Sequence, residues 1–418
     1  MLKMLKYNDL KKYYSGKKVL ITGHTGFKGS YMCVLLRFLG AKVYGYSLKP
    51  EKGELYDILT KDYESFCKSI DVKTNTKNVR ASIASPIRTT TKKNRKSLYS
   101  LVEEEIFADI RDTKKLAAFV KKVKPDYIIH MAAQPLVLRG YKEPAYTYDV
   151  NVMGTVSLME AIRMSEGLDN NNRIARKGWH HDPVSILNVT TDKVYENNDL
   201  SNYAFKENDK LCGRDPYANS KSCSELVTYA YKKSFFNDEK FFRVSTARAG
   251  NVIGGGDLNK DRIIPDCFRA IASNKDMYVR NPGSVRPYQF VLEPLLLYLN
   301  ILANQKKDAK YAGSYNIGPD KKSCLTTKEL VEKFFGAWKT VDGDMTTKVV
   351  YNRVKSHPAR HEAAFLRLDN NLIKKTFNYR EIFNMKDTMQ YTTKVYRDML
   401  GKRNMYMSII DIIESVFN

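Results

Sequence analysis

The feature that most constrains this chain is a glycine-rich turn directly after an apolar segment near the N-terminus. Residues 18–22 predict a buried strand and residues 30–39 predict a helix, with Gly23, Gly26 and Gly29 between them. In such a turn the first glycine permits a tight bend, the second lets a pyrophosphate approach the backbone, and the third lets helix and strand pack closely. The free N–H groups at the start of the helix would face the phosphates. The turn therefore predicts a dinucleotide-binding site, with a purely structural glycine turn as the alternative.

Short apolar runs alternate with longer amphipathic runs over the first part of the chain. Further strands are predicted at 41–46, 105–110, 126–131, 184–189 and 243–247, and helices at 113–124, 144–165 and 216–235. This alternation indicates an α/β fold, a doubly wound, Rossmann-type parallel sheet with helices on both faces. After residue 252 the pattern is less regular, with helices predicted at 295–305 and 327–338. We expect a dinucleotide-binding domain over 1–252 and a smaller, mixed α/β substrate-binding domain over 253–418, interleaved with the first.

The charge balance is strongly basic, because 70 Lys and Arg residues face 46 Asp and Glu residues, a net charge of +24. Such a field favours polyanions in general, whether nucleic acid, anionic lipid or phosphorylated small molecules. Eight of the basic residues lie between 73 and 97, a segment with no acidic residue. We interpret it as a solvated surface insertion. A polyanion-binding arm is the alternative, but only Tyr99 is nearby as a stacking aromatic residue, so nucleic-acid binding is not expected.

The cysteines give no sign of a metal site or of disulfides. Six of them stand far apart, without any Cys-x-x-Cys spacing, which is typical of a reducing compartment. Residues 1–16 lack the apolar core of a signal peptide, and no stretch approaches about 18 uninterrupted apolar residues. We therefore expect a cytoplasmic protein without a membrane partner and without a metal.

The end of the second predicted strand lacks the carboxylate that usually holds the adenosine ribose of NAD. Ser47 stands there instead and can bond the ribose hydroxyls, with Lys49 close by. A 2′-phosphate therefore remains possible, so this position does not choose between NAD and NADP. Asp109, at the tip of the third predicted strand, could accept from the adenine amino group. A loop aspartate next to Arg111 is an equal alternative for that residue.

A tyrosine and a lysine four residues apart, Tyr217 and Lys221, begin the helix predicted at 216–235. That spacing places both side chains on one face of the helix. An ammonium beside a phenol favours the phenolate and lowers its pKa, which makes Tyr217 a candidate general acid and base. Thr191, at the end of the preceding strand, would complete the hydrogen-bonding set.

Two ionisable residues, Asp192 and Lys193, follow Thr191 directly. A simple oxidation or epimerisation at one carbon needs only the tyrosine, lysine and threonine. An additional acid and base are what β-elimination of water requires. An ordinary exposed turn pair is an equal alternative when these two residues are read in isolation.

These motifs together resemble the sugar-nucleotide dehydratase branch of the extended short-chain dehydrogenase/reductases, and within it the CDP-glucose 4,6-dehydratases. The matching segments are ITGHTGFKGS (21–30), AAQPL (132–136), NVMGT (151–155), TTDK (190–193), DPY (215–217), TARAGNVIGGGD (246–257), RPYQ (286–289), HEA (361–363) and LRLD (366–369). The Asp-Lys pair separates this branch from the dTDP-glucose dehydratases, which have Asp-Glu there, and from epimerases, which lack the pair.

The resemblance implies a redox-neutral, NAD-dependent dehydration of CDP-D-glucose to CDP-4-dehydro-6-deoxy-D-glucose. Tyr217 would take the C4 hydroxyl proton, Lys193 the C5 proton, and Asp192 would protonate the departing C6 hydroxyl. Hydride would pass from C4 to NAD and return to C6. The related enzymes are mostly homodimers that pair two long helices, here 144–165 and 216–235.

The resemblance also implies further contacts to cofactor and substrate. The cofactor would contact Gly23, Gly26, Phe27, Gly29, Ser47, Asp109, Ile110, Ala132, Ala133, Gln134, Asn151, Tyr217 and Lys221. The substrate would contact Gln134, Asn251, Arg262, Arg286 and Tyr288, where the arginines suit a pyrophosphate because of their planar, multi-donor geometry. His24 and Lys28, inside the glycine turn, could reach phosphate or cytidine.

Two other functions remain open. One is a 4,6-dehydratase of another nucleotide sugar, such as GDP-mannose or a dTDP- or UDP-sugar, because the base-binding pocket is not resolved by sequence. The other is a catalytically silent, NAD-binding scaffold whose basic segment binds a polyanion. Scaffolds have no chemical need for the five residues assigned to catalysis, which favours an enzyme.

Overall fold

The computed structural model describes residues 6–72, 99–165, 182–198, 202–342, 347–351 and 365–417. In these ranges the strands are β1 Lys18–Thr22, β2 Lys42–Ser47, β3 Glu104–Phe107, β4 Tyr127–His130, β5 Val184–Thr191, β6 Phe242–Ala249, β7 Asn251–Ile253, β8 Met277–Val279, β9 Val285–Phe290, β10 Ser314–Ile317, β11 Cys324–Thr326 and β12 Val349–Tyr351. The α-helices are α1 Tyr7–Tyr14, α2 Phe27–Phe38, α3 Leu55–Val72, α4 Thr113–Val123, α5 Val137–Lys142, α6 Pro144–Tyr148, α7 Gly154–Ser165, α8 Pro216–Ser234, α9 Ile263–Ala272, α10 Leu292–Lys307, α11 Thr327–Asp342, α12 Asn371–Phe377, α13 Met385–Leu400 and α14 Met405–Phe417.

Seven parallel strands form one sheet in the order β10-β6-β5-β4-β1-β2-β3. Buried side chains of α2, α3, α10 and α14 form one core against this sheet, and those of α4 and α7 form a second core. The predicted doubly wound sheet with helices on both faces is confirmed. Because the strands are parallel, their carboxyl ends meet at one edge, where α/β folds bind their ligands.

Several element boundaries differ from the sequence-based prediction, and three of these differences have a clear local reason. Helix α2 begins at Phe27 rather than at residue 30, because Gly26 caps it in an extended conformation. Strand β3 ends at Phe107 rather than at 110, because the backbone N–H of Arg111 donates to Asp109 and starts a turn. The single helix predicted at 144–165 is divided by a π-helical turn at Asp149–Met153.

The later part of the chain returns to the main sheet. Strand β10 pairs with β6, and α10 packs against β5 and β6 with nearly all of its side chains buried. Two small sheets, β11-β9-β7 and β12-β8, lie beside a third core that α9, α11 and α13 help to form. The seventh strand of the main sheet therefore comes from beyond residue 252.

The basic segment at 73–97 and the HEA segment at 361–363 lie outside the described residues. In the part of the chain that is described, no helix is long and apolar enough to cross a bilayer. The same ranges hold no cluster of three or more His, Cys, Asp or Glu side chains arranged to bind a metal ion.

Candidate active site

The glycine-rich turn joins β1 to α2 in a shape that only glycine allows at two positions. Gly23 has φ +76°, and a Cβ there would lie 2.6 Å from the backbone nitrogen of Ala132. A Cβ at Gly29 would lie 2.2 Å from the carbonyl oxygen of Gly23. Gly26 caps α2 without a side-chain hydrogen bond, and Phe27 is the first residue of the helix. The compact turn leaves the start of α2 open to a phosphate group, so these residues fit a dinucleotide.

The neighbouring strand ends carry the residues expected to hold the adenosine. The Ser47 hydroxyl at the end of β2 lies 2.7 Å from that of Thr25. Both carboxylate oxygens of Asp109 accept hydrogen bonds from the Arg111 guanidinium, which holds the pKa of that carboxyl below its usual range. Ile110 is buried against the start of α7. The Asp109 side chain is therefore that of a loop aspartate paired with Arg111, the alternative considered above.

The His24 side chain points into the protein and is fully buried. Its Nε2 lies 2.9 Å from Glu105 Oε2, and its ring fills the space in which a Cβ at Gly45 would stand, 2.5 Å away. Tyr56 donates to the same Glu105 oxygen at 2.7 Å. The reach to phosphate or cytidine that the sequence suggested for His24 is therefore wrong.

The segment after β4, residues 132–134, presents no polar side chain to the substrate cavity described below. Ala132 and Ala133 are partly buried, whereas Gln134 is fully enclosed. The Gln134 amide donates to Thr147 Oγ1 at 2.9 Å and accepts from the backbone N–H of Leu136 at 2.6 Å. Both ends of this amide are bonded within the protein, so the structure does not bring it to the substrate cavity described below.

Asn151 lies in the π-helical turn and connects two elements of the site. Its Oδ1 accepts from the backbone N–H of Gln134 at 2.8 Å. Its Nδ2 donates to the hydroxyl of Ser220 on α8 at 2.9 Å. Asn151 therefore fixes the helix that carries the tyrosine and lysine.

Tyr217 and Lys221 lie on the first turns of α8, which Asp215 caps. The Lys221 ammonium donates to the carbonyl oxygen of Val189 on β5 at 2.9 Å. The Tyr217 side chain is hydrogen-bonded to Thr191, the last residue of β5. The strand end and the helix start thus bring the predicted threonine, tyrosine and lysine together.

The protonation of this pair differs from the expectation. Burial raises the pKa of Tyr217 to about 12, although the hydrogen bond with Thr191 opposes the shift. Burial lowers the pKa of Lys221 to about 8, against the opposing charge of Glu225. The predicted lowering of the Tyr217 pKa is therefore wrong in this structure, because desolvation of the phenol outweighs the hydrogen bond with Thr191 and the charge of Arg262.

Asp192 and Lys193 form a short 3₁₀ turn, Asp192–Val194, after β5. Asp192 is buried, and its Oδ1 accepts from the Thr191 hydroxyl at 3.0 Å. The Lys193 ammonium lies 3.5 Å from the same oxygen and 3.4 Å from Asn251 Oδ1. Among the described residues, Asp192 Oδ2 has no hydrogen-bond partner. The pair is therefore a buried carboxylate with a free oxygen beside a partly exposed ammonium.

A cavity of about 1160 Å³ opens beside these groups at the carboxyl edge of the sheet. Its lining includes Lys28, Thr191, Lys193, Tyr217, Asn251, Arg262, Arg286 and Tyr288. The parallel pairing of β7 with β9 places Asn251 opposite Tyr288. Arg262 donates to the buried Asp257 carboxylate at 2.8 Å. All predicted substrate residues except Gln134 line this cavity, and Asp192 lies just behind its wall.

Sequence reasoning gave too little weight to Lys28. This lysine lines the cavity, and burial lowers its pKa to about 7, with the charges of Lys221 and Arg262 adding to the shift. Its position on the first turn of α2, directly before Gly29, could have indicated from the sequence that Lys28 lies beside the site. Asp257 was not identified as a functional residue at all, because its pairing with Arg262 depends on how the chain folds after β7.

A protein-family model matches residues 19–318, most of the 418-residue chain. The chain belongs to the NAD dependent epimerase/dehydratase family. The sequence-based recognition of this family and of its cofactor, NAD, is thereby confirmed.

Relatives with assigned names agree with this membership. The chain is 33% identical to a CDP-glucose 4,6-dehydratase of Salmonella typhimurium over 94% of each chain. It is 27% identical to a GDP-mannose 4,6-dehydratase of Yersinia enterocolitica, over 52% of this chain and 46% of that protein. Among solved structures, the dTDP-glucose 4,6-dehydratase of Bacillus anthracis in complex with NAD superposes with a TM-score of 0.63 at 18% identity, covering 94% of this chain and 100% of that one. This last likeness concerns the fold.

Proposed function

We propose that this protein is an NAD-dependent hydro-lyase that converts CDP-D-glucose to CDP-4-dehydro-6-deoxy-D-glucose. The observation that carries the proposal is that Lys193 and Tyr217 line one cavity, with Asp192 directly behind its wall. The 33% identity with a CDP-glucose 4,6-dehydratase over nearly the whole of both chains supports the choice of substrate. An epimerase would need the tyrosine and lysine but not the additional acid and base.

The first step is the removal of the C4 hydroxyl proton. Tyr217 takes this proton, and Thr191 orients the phenol through its hydrogen bond. Lys221, held by its hydrogen bond to Val189, keeps a positive charge near the phenol. Bound NAD supplies the hydride acceptor for C4 and later the hydride donor for C6. The residues that fit this cofactor are those of the glycine-rich turn and of the strand ends beside it.

The second step is the loss of water across C5 and C6. The ketone formed at C4 acidifies the C5 proton. Transfer of a proton from the Lys193 ammonium to the Asp192 carboxylate, 3.5 Å away, gives the amine and the carboxylic acid that the elimination requires. The Lys193 amine then removes the C5 proton, and it returns a proton to C5 when hydride reaches C6. Asp192 gives a proton to the C6 hydroxyl, which leaves as water. The free Oδ2 of Asp192, buried and without a partner among the described residues, is the atom suited to this proton transfer. Asn251 holds the Lys193 ammonium from the other side.

The substrate diphosphate is assigned to the arginines of the cavity wall. Arg262 and Arg286 supply planar guanidinium groups that pair with phosphate oxygens. Asp257 aims Arg262 through its 2.8 Å hydrogen bond, and Tyr288 lies beside Asn251 in the sheet register. In this proposal residues 1–252 hold the cofactor and residues 253–418 build most of the sugar-nucleotide wall.

We also propose that the protein acts as a cytoplasmic homodimer. Four large apolar side chains are exposed on or next to helices α7 and α8. They are Met153, directly before α7, Met164 on α7, and Leu226 and Tyr229 on α8. Exposed apolar side chains on two adjacent helices are suited to pairing with the same helices of a second copy. Sedimentation velocity of the parent protein and of Tyr229→Asp tests this: the parent should sediment as a dimer and the variant as a monomer.

The decisive experiment is incubation with NAD and, separately, with CDP-glucose, dTDP-glucose, UDP-glucose and GDP-mannose. The 4-keto product is followed by its absorbance in alkali, and the loss of water by mass spectrometry. We expect product with CDP-glucose alone. Product formed from another nucleotide sugar would support the proposed mechanism but show that the substrate is not CDP-glucose. Binding of NAD without any product from the four sugars would contradict the proposed function.

A further inference from the structure

A buried ion pair lies directly behind the Asp192–Val194 turn. Glu225 on α8 and Arg248 on β6 meet with an Nη2 to Oε2 distance of 3.0 Å, and their side chains are 2% and 4% exposed. Neither residue lines the cavity. The pair therefore does not contact a bound sugar, and its role has to be sought in what it holds.

The Glu225 carboxylate holds the strand that leads into the turn. Its Oε1 accepts from the hydroxyl of Thr190 at 2.5 Å, and its Oε2 accepts from the hydroxyl of Thr246 at 2.7 Å. Thr190 stands directly before Thr191 and lies opposite Arg248 in the pairing of β5 with β6. One end of the segment that carries Asp192 and Lys193 is thus tied to α8.

The Arg248 guanidinium holds the residue that follows the turn. Its Nη1 donates to the Tyr195 hydroxyl at 2.8 Å and to the carbonyl oxygen of Glu207 at 2.7 Å. Tyr195 in turn donates to Asn316 Oδ1 on β10 at 2.5 Å. The middle of the segment is held as well, because Ser222 on α8 donates to the carbonyl oxygen of Val194 at 2.7 Å. The ion pair therefore holds both ends of the turn.

We propose that Glu225 and Arg248 are positioning residues that keep the Asp192–Val194 turn in register with the start of α8. In that arrangement Lys193 and Asp192 act on the same bound sugar that Tyr217 has oxidised. This inference rests on the proposed function, because it concerns the coupling of its two steps. By positioning the turn, the ion pair would ensure that the oxidised sugar loses water before it leaves the site.

A purely stabilising role explains the pair less well. Buried ion pairs commonly contribute no more to stability than well-packed apolar side chains of the same volume, because both charges lose their hydration. Arg248 in addition keeps a buried Nε that has no partner among the described residues, which adds a desolvation cost. What an apolar replacement could not supply is the simultaneous directional bonding to Thr190 and Tyr195.

The proposal predicts uncoupling of oxidation from dehydration. In Glu225→Gln the ratio of oxidised but undehydrated sugar to dehydrated product should rise about 10- to 100-fold, as expected for a misplacement of catalytic groups by about 1 Å. Glu225 also favours the charged form of Lys221, so its loss slows the oxidation itself. A slower oxidation by itself would not change the ratio, because the oxidised sugar and the dehydrated product both form through this first step. The two sugars are separated and counted by mass spectrometry.

Two further variants and a control keep the test independent of folding. In Glu225→Gln with Arg248→Met no buried charge is left unpaired, so this double variant should fold and still show the raised ratio. Tyr195→Phe removes only one hydroxyl of the network and should raise the ratio less. The control is Glu103→Gln, which breaks the 2.7 Å ion pair with Arg37 beside β3, at the opposite edge of the sheet. It should leave the ratio at the parent value.

A second measurement separates this inference from the proposed function. Hydrogen–deuterium exchange of the peptide 190–197 in the NAD-bound protein should be faster in the Glu225 variants than in the parent and in Glu103→Gln. An unchanged product ratio together with unchanged exchange in the folded variants would overturn the positioning role. If the parent itself dehydrates none of the four sugars, the proposed function fails. The exchange measurement then still decides whether the ion pair holds the turn.

Discussion

Substituting Gly26 with alanine tests how closely the cofactor phosphates approach the glycine-rich turn. Gly26 has φ −72° and ψ 170°, a conformation that alanine adopts readily. Its added Cβ would meet one atom of the protein, the carbonyl oxygen of Gly23, at 3.4 Å. Alanine is a poorer helix cap than glycine by about 0.5–1 kcal/mol. It also lowers the conformational entropy of the unfolded chain, which stabilises the folded protein by a similar amount. The free energy of unfolding should therefore change by less than about 0.5 kcal/mol.

The same methyl group would stand where the pyrophosphate has to approach the backbone. We expect NAD to bind about 10- to 100-fold more weakly, a loss of about 1.4–2.8 kcal/mol of binding free energy. Titration calorimetry with NAD and denaturant unfolding of the same preparations give the two quantities separately. A folded Gly26→Ala protein that binds NAD as tightly as the parent would refute the assignment of the turn to the pyrophosphate.

Two other glycines provide matched controls. Gly16 has φ +73° with no atom within 4 Å of an added Cβ, so Gly16→Ala should lose about 1–2 kcal/mol of stability and keep its affinity for NAD. Gly23 combines a positive φ with a 2.6 Å approach to the Ala132 backbone. Gly23→Ala should therefore be the least stable of the three variants, and the order of the three stabilities checks the geometric reasoning.

Three further predictions concern the proton-transfer groups and a buried histidine. Tyr217→Phe should retain NAD binding and lose about 10²–10⁴-fold in C4 oxidation, measured by the absorbance of reduced cofactor; unchanged oxidation would exclude Tyr217 as the base. Lys193→Ala should still oxidise C4 but incorporate deuterium at C5 about 10²–10⁴-fold more slowly, and parental incorporation in mass spectra would contradict its role. Burial lowers the pKa of His130 to about 3, so in acid the unfolded chain takes up its proton first and the folded state loses stability as the pH falls from 6.5 towards 3. The loss reaches about 2 kcal/mol by pH 5, and His130→Gln should remove that share of the pH dependence in denaturant unfolding; an unaltered slope would speak against it.

The parts of the molecule that local patterns determine could be predicted from the sequence. The alternation of strands and helices predicted the class of sheet, and the glycine spacing predicted the compact turn at residues 23–29 between β1 and α2. Thr191, Tyr217 and Lys221 come together as expected, because parallel strands end at a common edge and a spacing of four residues keeps two side chains on one helical face.

Features that depend on contacts between distant segments could not be predicted. The pKa of Tyr217 is set by how deeply the fold buries the phenol, which a spacing of four residues does not report. The amide of Gln134 turns away from the cavity because Thr147 and Leu136 satisfy it. The bonding of Glu225 to Arg248 and Thr190 joins a helix to two strands, and no motif in the chain marks it.

The late return of the chain to its main sheet has a consequence for biosynthesis. Strand β6 ends at residue 249 and its parallel neighbour β10 begins at 314, so 64 residues separate the two. At about 5–20 residues per second, a ribosome takes roughly 3–13 seconds to deliver the missing strand. During that interval the N-terminal part of the nascent chain has an unpaired edge strand and lacks the apolar helix α10 that covers it, the conditions under which chaperones bind and aggregation begins. The main sheet is therefore completed only after residue 317 has been synthesised.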